Sequence, residues 1–405
     1  MKSAHILKGK KIARIATVPY AIATQIGDQV AYLRDLGMQV VIVSADGPEL
    51  ARFPFSESLR HECIDIPRSI SPWKDIIALV KLFKIFRKYR FDIIHSTTPK
   101  AGLLAAVAGF FAKIPIRLHT FTGQPWVNKK GIVRIITRLS DKIIGVLNTR
   151  CYADSGSQRD FLIEEGIISE DKVGVIGAGS LAGVDLKRFD TTHWSREEKA
   201  SLRNDLHINR DSQVLIFVGR ITRDKGIIEL TEAVYSLIQF SYNIDLLLIG
   251  PLDQDRGGAG SLTIDQLSQS SRIHYIGYTD CPEKYLSISE IFCLPSYREG
   301  FGTVVIEAAA MGVPCVGTRI YGLTDAVHDG YTGVLVPPRD VVSLKNALKH
   351  LLDHPERSKQ MGLAARERVV KEFDSRIIND KIAAEYSNLL QQRKPQHSPS
   401  GKQLI

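Results

Sequence analysis

The chain has 405 residues, 44% hydrophobic and 24% charged, and a formal net charge of +9. That balance excludes a disordered or low-complexity chain and suits two globular domains with sizeable cores. Five cysteines (Cys63, Cys151, Cys281, Cys293, Cys315) show no CxxC or zinc spacing, which fits a reduced compartment.

The charge is uneven. Residues 1–190 hold 28 Lys+Arg against 18 Asp+Glu, and the remainder holds 25 against 26. Within 66–150 there are 16 basic residues and three acidic ones, Asp75, Asp92 and Asp141. A bias this local points to an anionic partner of the first half or to a generic solvated basic surface. No signal peptide is expected, because the apolar stretch after the basic start is broken by Arg14 and Pro19. The longest charge-free apolar run, Ala101 to Ala112, is too short to cross a bilayer and reads as a buried helix.

In chain order, Lys11 to Val18 reads as a strand, residues 18–27 as a loop, Ile26 to Leu36 as a helix and Val40 to Ser44 as a second strand. This is the opening of a doubly wound domain. Ser71 and Pro72 open a helix to about Arg90. Its apolar stripe, Trp73, Ile76, Ile77, Val80, Phe83 and Phe86, is expected mostly in the core, with Lys74, Lys81, Lys84, Arg87 and Lys88 outside. That basic face also suits anionic lipid.

Phe91 to His95 is a strand that leaves His95 at its carboxyl end, where open alpha/beta sheets place ligands. Ile116 to Thr120 is the next strand, carrying His119, and Phe121-Thr-Gly-Gln-Pro-Trp126 leaves it. Alternation along a strand does not put His119 and Thr122 on the same side. Asn128 to Leu139 is a second basic helix, with Lys130, Arg134 and Arg138 on one face and Ile132, Ile135, Ile136 and Leu139 expected inward. Trp126 before it suits a water–lipid boundary or an acceptor cleft. Ile143 to Leu147 and Lys172 to Ile176 read as the last strands of the first domain.

The second domain opens with the strand Val214 to Gly219, the loop Arg220 to Gly226 and a helix from Ile227. Arg offers phosphate a fork of donors, and Lys a movable point charge. Leu246 to Gly250 and Ile273 to Gly277 are further strands, the second followed by Tyr278-Thr279. Between them lies the triplet Asp253-Gln-Asp255, an alternative metal-binding candidate. Ile291 to Leu294 is a strand, Thr303 to Met311 a helix capped by Gly312, and a strand follows Pro314. Gly300 and Gly302 sit where the helix begins, so free amides and the helix dipole favour a phosphate there. Glu299 and Glu307 frame the loop. As pure acceptors they suit hydroxyls rather than phosphate, although two solvated glutamates at a helix start would look the same. Leu323 to Val327 is helical, Gly330 to Pro338 a turn, and helices follow from about Val342 and Ser358.

The stretch Glu299-Gly-Phe-Gly, Glu307-Ala and Gly312-Val-Pro314 resembles the donor-site signature of the family-four retaining glycosyltransferases. The stretch from Gly183-Val-Asp to Phe189 resembles that family's hinge. The resemblance implies an α/β GT-B fold: two Rossmann-like parallel-sheet domains, 1–190 for the acceptor and 191–376 for the nucleotide sugar, facing across a cleft. A terminal helix over 377–392 then crosses back to the first domain, and 393–405 is a tail.

It also implies roles. Glu299 meets the donor sugar, Arg220 and Lys225 the diphosphate, and these three are the catalytic candidates. The amides around Gly300, Phe301, Gly302 and Thr303 meet the diphosphate, Glu307 the ribose and Tyr278 the base region. No metal and no cofactor are implied beyond the nucleotide-sugar co-substrate. On the acceptor side His95, His119, Thr122 and Gly123 are candidates. The family often has His where Thr122 stands, and a Gly-Gly pair in the first loop that is missing here.

The loop at Phe121 to Trp126 is similar to that of a subgroup that extends polyprenyl-diphosphate-linked saccharides in bacterial polysaccharide or O-antigen assembly. The partners then expected are a nucleotide sugar, such a lipid-linked saccharide and an anionic membrane surface, but no nucleic acid. The expected place is cytoplasmic, peripheral on the inner face of the cell membrane. A soluble acceptor and an inactive nucleotide-sugar-binding protein stand as the alternatives.

Overall fold

The computed structural model describes residues 2–52, 60–67, 69–252 and 270–393. Among these, two parallel sheets are formed, with strand orders β3-β2-β1-β4-β5-β6-β7 and β10-β9-β8-β11-β12-β13. The first sheet is built of β1 (Lys11–Ile15), β2 (Gln39–Ser44), β3 (Arg60–Cys63), β4 (Ile93–Ser96), β5 (Ile116–Phe121), β6 (Arg150–Ala153) and β7 (Val173–Val175). The second comprises β8 (Gln213–Val218), β9 (Ile244–Ile249), β10 (Ile273–Gly277), β11 (Ile291–Leu294), β12 (Cys315–Thr318) and β13 (Gly333–Val336). Strands such as β9 and β11 are buried at every position, the mark of parallel strands covered on both faces.

The helices of the first half are α1 (Lys2–Leu7), α2 (Pro19–Gln25), α3 (Gly27–Asp35), α4 (Pro72–Tyr89), α5 (Pro99–Phe111), α6 (Gly131–Leu147) and α7 (Gly156–Glu164). Those of the second are α8 (Arg196–Asp205), α9 (Ile227–Gln239), α10 (Pro282–Leu286), α11 (Thr303–Ala310), α12 (Leu323–Ala326), α13 (Val341–Asp353), α14 (Pro355–Glu372) and α15 (Ser375–Gln392). Local chemistry sets their starts. Pro opens α4 and α5 at the first turn, and Ser195 with Glu198 forms a capping box on α8.

One large core fills the second half, from Val184 through Phe373. The first half has separate clusters on the two faces of its sheet. The last helix, α15, belongs to the first of these: Ile378, Ile382, Ala383 and Tyr386 pack with Ile12, Ile93 and Tyr152. The Tyr386 hydroxyl takes a hydrogen bond from buried Arg14 at 2.6 Å, so α15 is stitched to the first sheet.

Four local expectations are corrected. Residues 143–147 are the end of α6, and the strand is β6 at 150–153. A short apolar run is as compatible with a buried helix as with a strand. The supposed loop at 18–27 contains α2, opened by Pro19. The turn after Gly330 contains β13.

The fourth correction concerns the faces of α4 and α6. The core side of α4 is Ala78, Leu82 and Phe86, while Trp73 is 78% exposed and Ile76, Ile77, Val80 and Phe83 are exposed with it. On α6 the inward residues are Asp141, Ile144 and Gly145, whereas Ile132 is 66% and Ile135 63% exposed, with Ile136 and Leu139 also outside. Both helices have two apolar faces, and spacing alone does not choose between them.

Candidate functional site

The cleft between the sheets is lined by the loops at the carboxyl ends of their strands. The loop after β11 has Gly302 in the left-handed region (φ 87°) as the N-cap of α11. A side chain there would run into Leu323, and one on Gly300 would overlap the Thr122 carbonyl across the cleft. The Phe301 ring turns away into the second core against Phe373, with centroids 5.2 Å apart. Residues 300–303 therefore offer the cleft backbone rather than bulk.

Glu299 is held from two sides. The Ser296 hydroxyl donates to its Oε1 at 2.8 Å, and the Lys225 ammonium pairs with the same oxygen. Both charged side chains are largely buried. Lys225 ends a short 3-10 turn closed by left-handed Gly226, which packs so tightly on the Pro295 carbonyl that a Cβ could not fit. Arg220 follows β8 in the same cluster and acts on Asp224. Burial works against the Asp224 carboxylate, yet the Thr222 hydroxyl, Lys225, Arg220 and Arg298 together hold it below its usual range. The site thus gathers positive charge beside a helix N-terminus, a setting for a diphosphate.

Glu307, one turn into α11, is partly buried. Burial pushes its carboxyl up to about 7, with Arg188 opposing and Glu283 adding to the rise. Tyr278 follows β10, 45% exposed, and its hydroxyl donates to Asp280 at 2.6 Å.

From the first domain, Thr122 and Gly123 reach this loop. The Thr122 carbonyl abuts Gly300, and Arg298 lies against Gly123. His95 and His119 do not reach it. His95 is buried between Tyr386, Thr120 and Arg14, and burial holds its imidazole well below the usual range. His119 is bonded to Ser96 at 2.9 Å, and burial lowers it to about 3. Trp126 is buried too, donating from Nε1 to Asp141 at 2.8 Å, so it is not at a water–lipid boundary. Asp253 and Asp255 lie outside the described residues.

Several residues here were not singled out from the sequence. Asp154, after β6, is buried beside Gly300. Burial pushes its carboxyl up to about 7, Glu299 adding to this and the Leu181 amide opposing it. The Ser155 hydroxyl donates to the Gly300 carbonyl at 2.9 Å. At the start of α7, the Gly156 amide and the Ser157 hydroxyl donate to Asp325 of α12. Tyr321 stacks on Phe161, which stacks on Trp126. The placement of Asp154-Ser-Gly at a strand's carboxyl end was the available signal.

Residues 198–368 match the family described as Glycosyl transferases group 1, and residues 21–179 match the Glycosyl transferase 4-like domain. A capsular polysaccharide biosynthesis glycosyltransferase of Staphylococcus aureus is 32% identical over 95% of this chain and 99% of its own. An Escherichia coli UDP-Gal:alpha-D-GlcNAc-diphosphoundecaprenol alpha-1,3-galactosyltransferase is 26% identical over 71% of this chain and 73% of its own. Among solved structures, Anabaena HepE in complex with UDP-glucose superposes with a TM-score of 0.76 at 19% identity, over 93% of this chain and 99% of that one.

Proposed function

The chain belongs to the group 1 glycosyltransferases with the GT-B fold, and from that premise we propose that it moves a sugar, with retention of configuration, from a nucleotide sugar to a hydroxyl of a lipid-linked saccharide. The donor is a UDP-linked hexose or N-acetylhexosamine. The observation that carries the reading is the Lys225–Glu299 pair at the amide-lined start of α11. Each neutralises the other. When the donor arrives, Lys225 turns to the diphosphate and Glu299 accepts from sugar hydroxyls.

The leaving group gains negative charge as the glycosidic bond breaks. Arg220, Lys225 and the helix N-terminus, in place once the donor is bound, stabilise that charge without a metal. The acceptor proton passes to the departing phosphate oxygen, so no protein nucleophile is required.

The lipid-linked acceptor is supported by the outer face of the first domain. Helices α4, α5 and α6 follow parallel strands and start at the carboxyl edge of the sheet, the cleft side. Lys100 of α5 pairs with Asp75 of α4 at 2.6 Å in their first turns. The exposed Trp73, Ile76, Ile77, Ile132, Ile135 and Ile136 therefore lie toward the cleft mouth, among Lys74, Lys81, Lys84, Lys130 and Arg134. This suits peripheral attachment to the anionic inner face of the cell membrane. Among the described residues, no helix is long and apolar enough to cross a membrane. The function of two of the relatives, in capsular polysaccharide synthesis and on a diphosphoundecaprenol-linked sugar, supports the same class of acceptor.

Screening nucleotide sugars for protection against thermal unfolding, followed by transfer to polyprenyl-diphosphate-linked saccharides, tests the reading. Protection with no transfer or hydrolysis would leave only a nucleotide-sugar-binding protein. Equal use of a soluble acceptor would remove the lipid.

A further inference from the structure

The first loop lacks the paired glycines of the family and holds α2 instead. Pro19 sets the first turn, and Tyr20 follows it at the cleft rim, 43% exposed. The Tyr20 ring meets the Tyr278 ring of the other domain edge-on, with centroids 6.5 Å apart and planes at 64°. Burial pushes the Tyr20 phenol up, and the nearby Tyr278, Glu307 and Asp280 add to the rise. A side chain of the first domain thus stands over the wall that carries Tyr278 and Glu307.

We propose that Tyr20 and Tyr278 form an aromatic clip that holds the base of the donor nucleotide, Tyr20 closing over it from the first domain. The inference rests on the donor-site reading above. Moving outward from the start of α11, the amides at Gly302 and Thr303 take the diphosphate and Glu307, one turn on, takes the ribose. The base then falls beyond the ribose, where the two tyrosines meet. Every base has a π-face, and both rings are partly exposed on the cleft rim, so a flat ring enters by rotating them from edge contact to stacking. The long residues of α2 give the chain a contact that a pair of glycines cannot make.

The test is calorimetry on the intact protein with two ligands, the nucleoside diphosphate that the wild type binds most tightly and inorganic pyrophosphate. Tyr20→Ala is expected to weaken the nucleoside diphosphate about tenfold or more, the scale of losing a base–aromatic stack, and to leave pyrophosphate within about twofold. Tyr20→Phe keeps the ring and is expected to bind the nucleoside diphosphate nearly as the wild type does. Equal losses of both ligands in Tyr20→Ala, no loss in Tyr20→Ala, or the same base-dependent loss in Tyr20→Phe would each overturn the clip. A wild type that binds no nucleoside diphosphate would overturn the donor reading and the clip with it. Tight wild-type binding with an unchanged Tyr20→Ala overturns the clip alone.

Discussion

Asp325 of the second domain caps a helix of the first: its Oδ1 accepts from the Gly156 amide at 3.0 Å, at the start of α7. Ser157 adds its own amide and hydroxyl to the same carboxylate. A carboxylate at a helix N-terminus satisfies otherwise orphaned donors and meets the positive end of the dipole. Here that bond also holds the cleft shut, because its partners belong to different domains. Asp325→Ala is expected to destabilise the closed arrangement by about 1–2 kcal/mol, the worth of a good N-cap. Small-angle scattering should show a wider molecule, and the donor KM should rise with little change in fold.

The Lys225–Glu299 pair predicts a strong catalytic effect. Glu299→Ala and Lys225→Ala are each expected to reduce transfer roughly 10²–10³-fold if they act like the removal of one oxyanion-hole donor. Arg220→Ala should fall in the same direction. Circular dichroism and steady-state rates check this. Folded variants with near-normal rates would remove the assignment.

Asp154 gives a pH prediction with a definite sign. Its carboxyl is raised to about 7 in the folded protein, from 3.8. Between those values the native state binds more protons than the unfolded chain, so stability contributed by this group falls as pH rises from about 4 to 7 and is flat above. Glu307, also raised to about 7, acts in the same sense. Asp154→Asn removes the cost of ionising the buried group. It should raise the melting temperature at pH 8 by a few degrees, on the order of 1–2 kcal/mol, and change it little at pH 4. An unchanged pH profile of melting would contradict the burial of this carboxyl.

The outer face of α4 and α6 predicts salt-sensitive vesicle binding. Lys130→Glu with Arg134→Glu, or Trp73→Ser with Ile135→Ser, should each weaken binding to anionic vesicles. Each basic residue contributes roughly 1 kcal/mol near such a surface. Arg138 is a poor choice for this test, because its guanidinium bonds Glu165 and lies 5.7 Å from the centre of the buried Trp126 ring. Donor hydrolysis should persist in both double variants. Vesicle flotation at low and high salt is the measurement.

The sequence carried most of the second domain, because its strands are short continuous apolar runs separated by glycine turns. The order strand, loop, helix, strand at 291–318 was legible for that reason, whereas the roles of Lys225 and Glu299 came from the resemblance of their loops to the family's donor site. What was not legible depends on the other domain or on which face is covered. Asp325 and Ser157 are 168 residues apart and carry no local signature of a shared bond. The stripe of Trp73, Ile76 and Ile77 has the same period as a core stripe, and only the position of the sheet reveals that Ala78, Leu82 and Phe86 are the packed side. His95 sits near the carboxyl end of β4 and His119 inside β5, and burial turns both into the first domain's own network.

Retaining transfer to a lipid-linked acceptor is tested by supplying the protein with a labelled nucleotide sugar and vesicles carrying a polyprenyl-diphosphate-linked saccharide. Label in the organic phase is followed, and the anomeric configuration of the new linkage is read by NMR. Lipid-linked product is expected, with an anomeric configuration that matches the donor's, and it is lost in Glu299→Ala. Label released only as free sugar, an inverted linkage, or transfer that is indifferent to the lipid would contradict it.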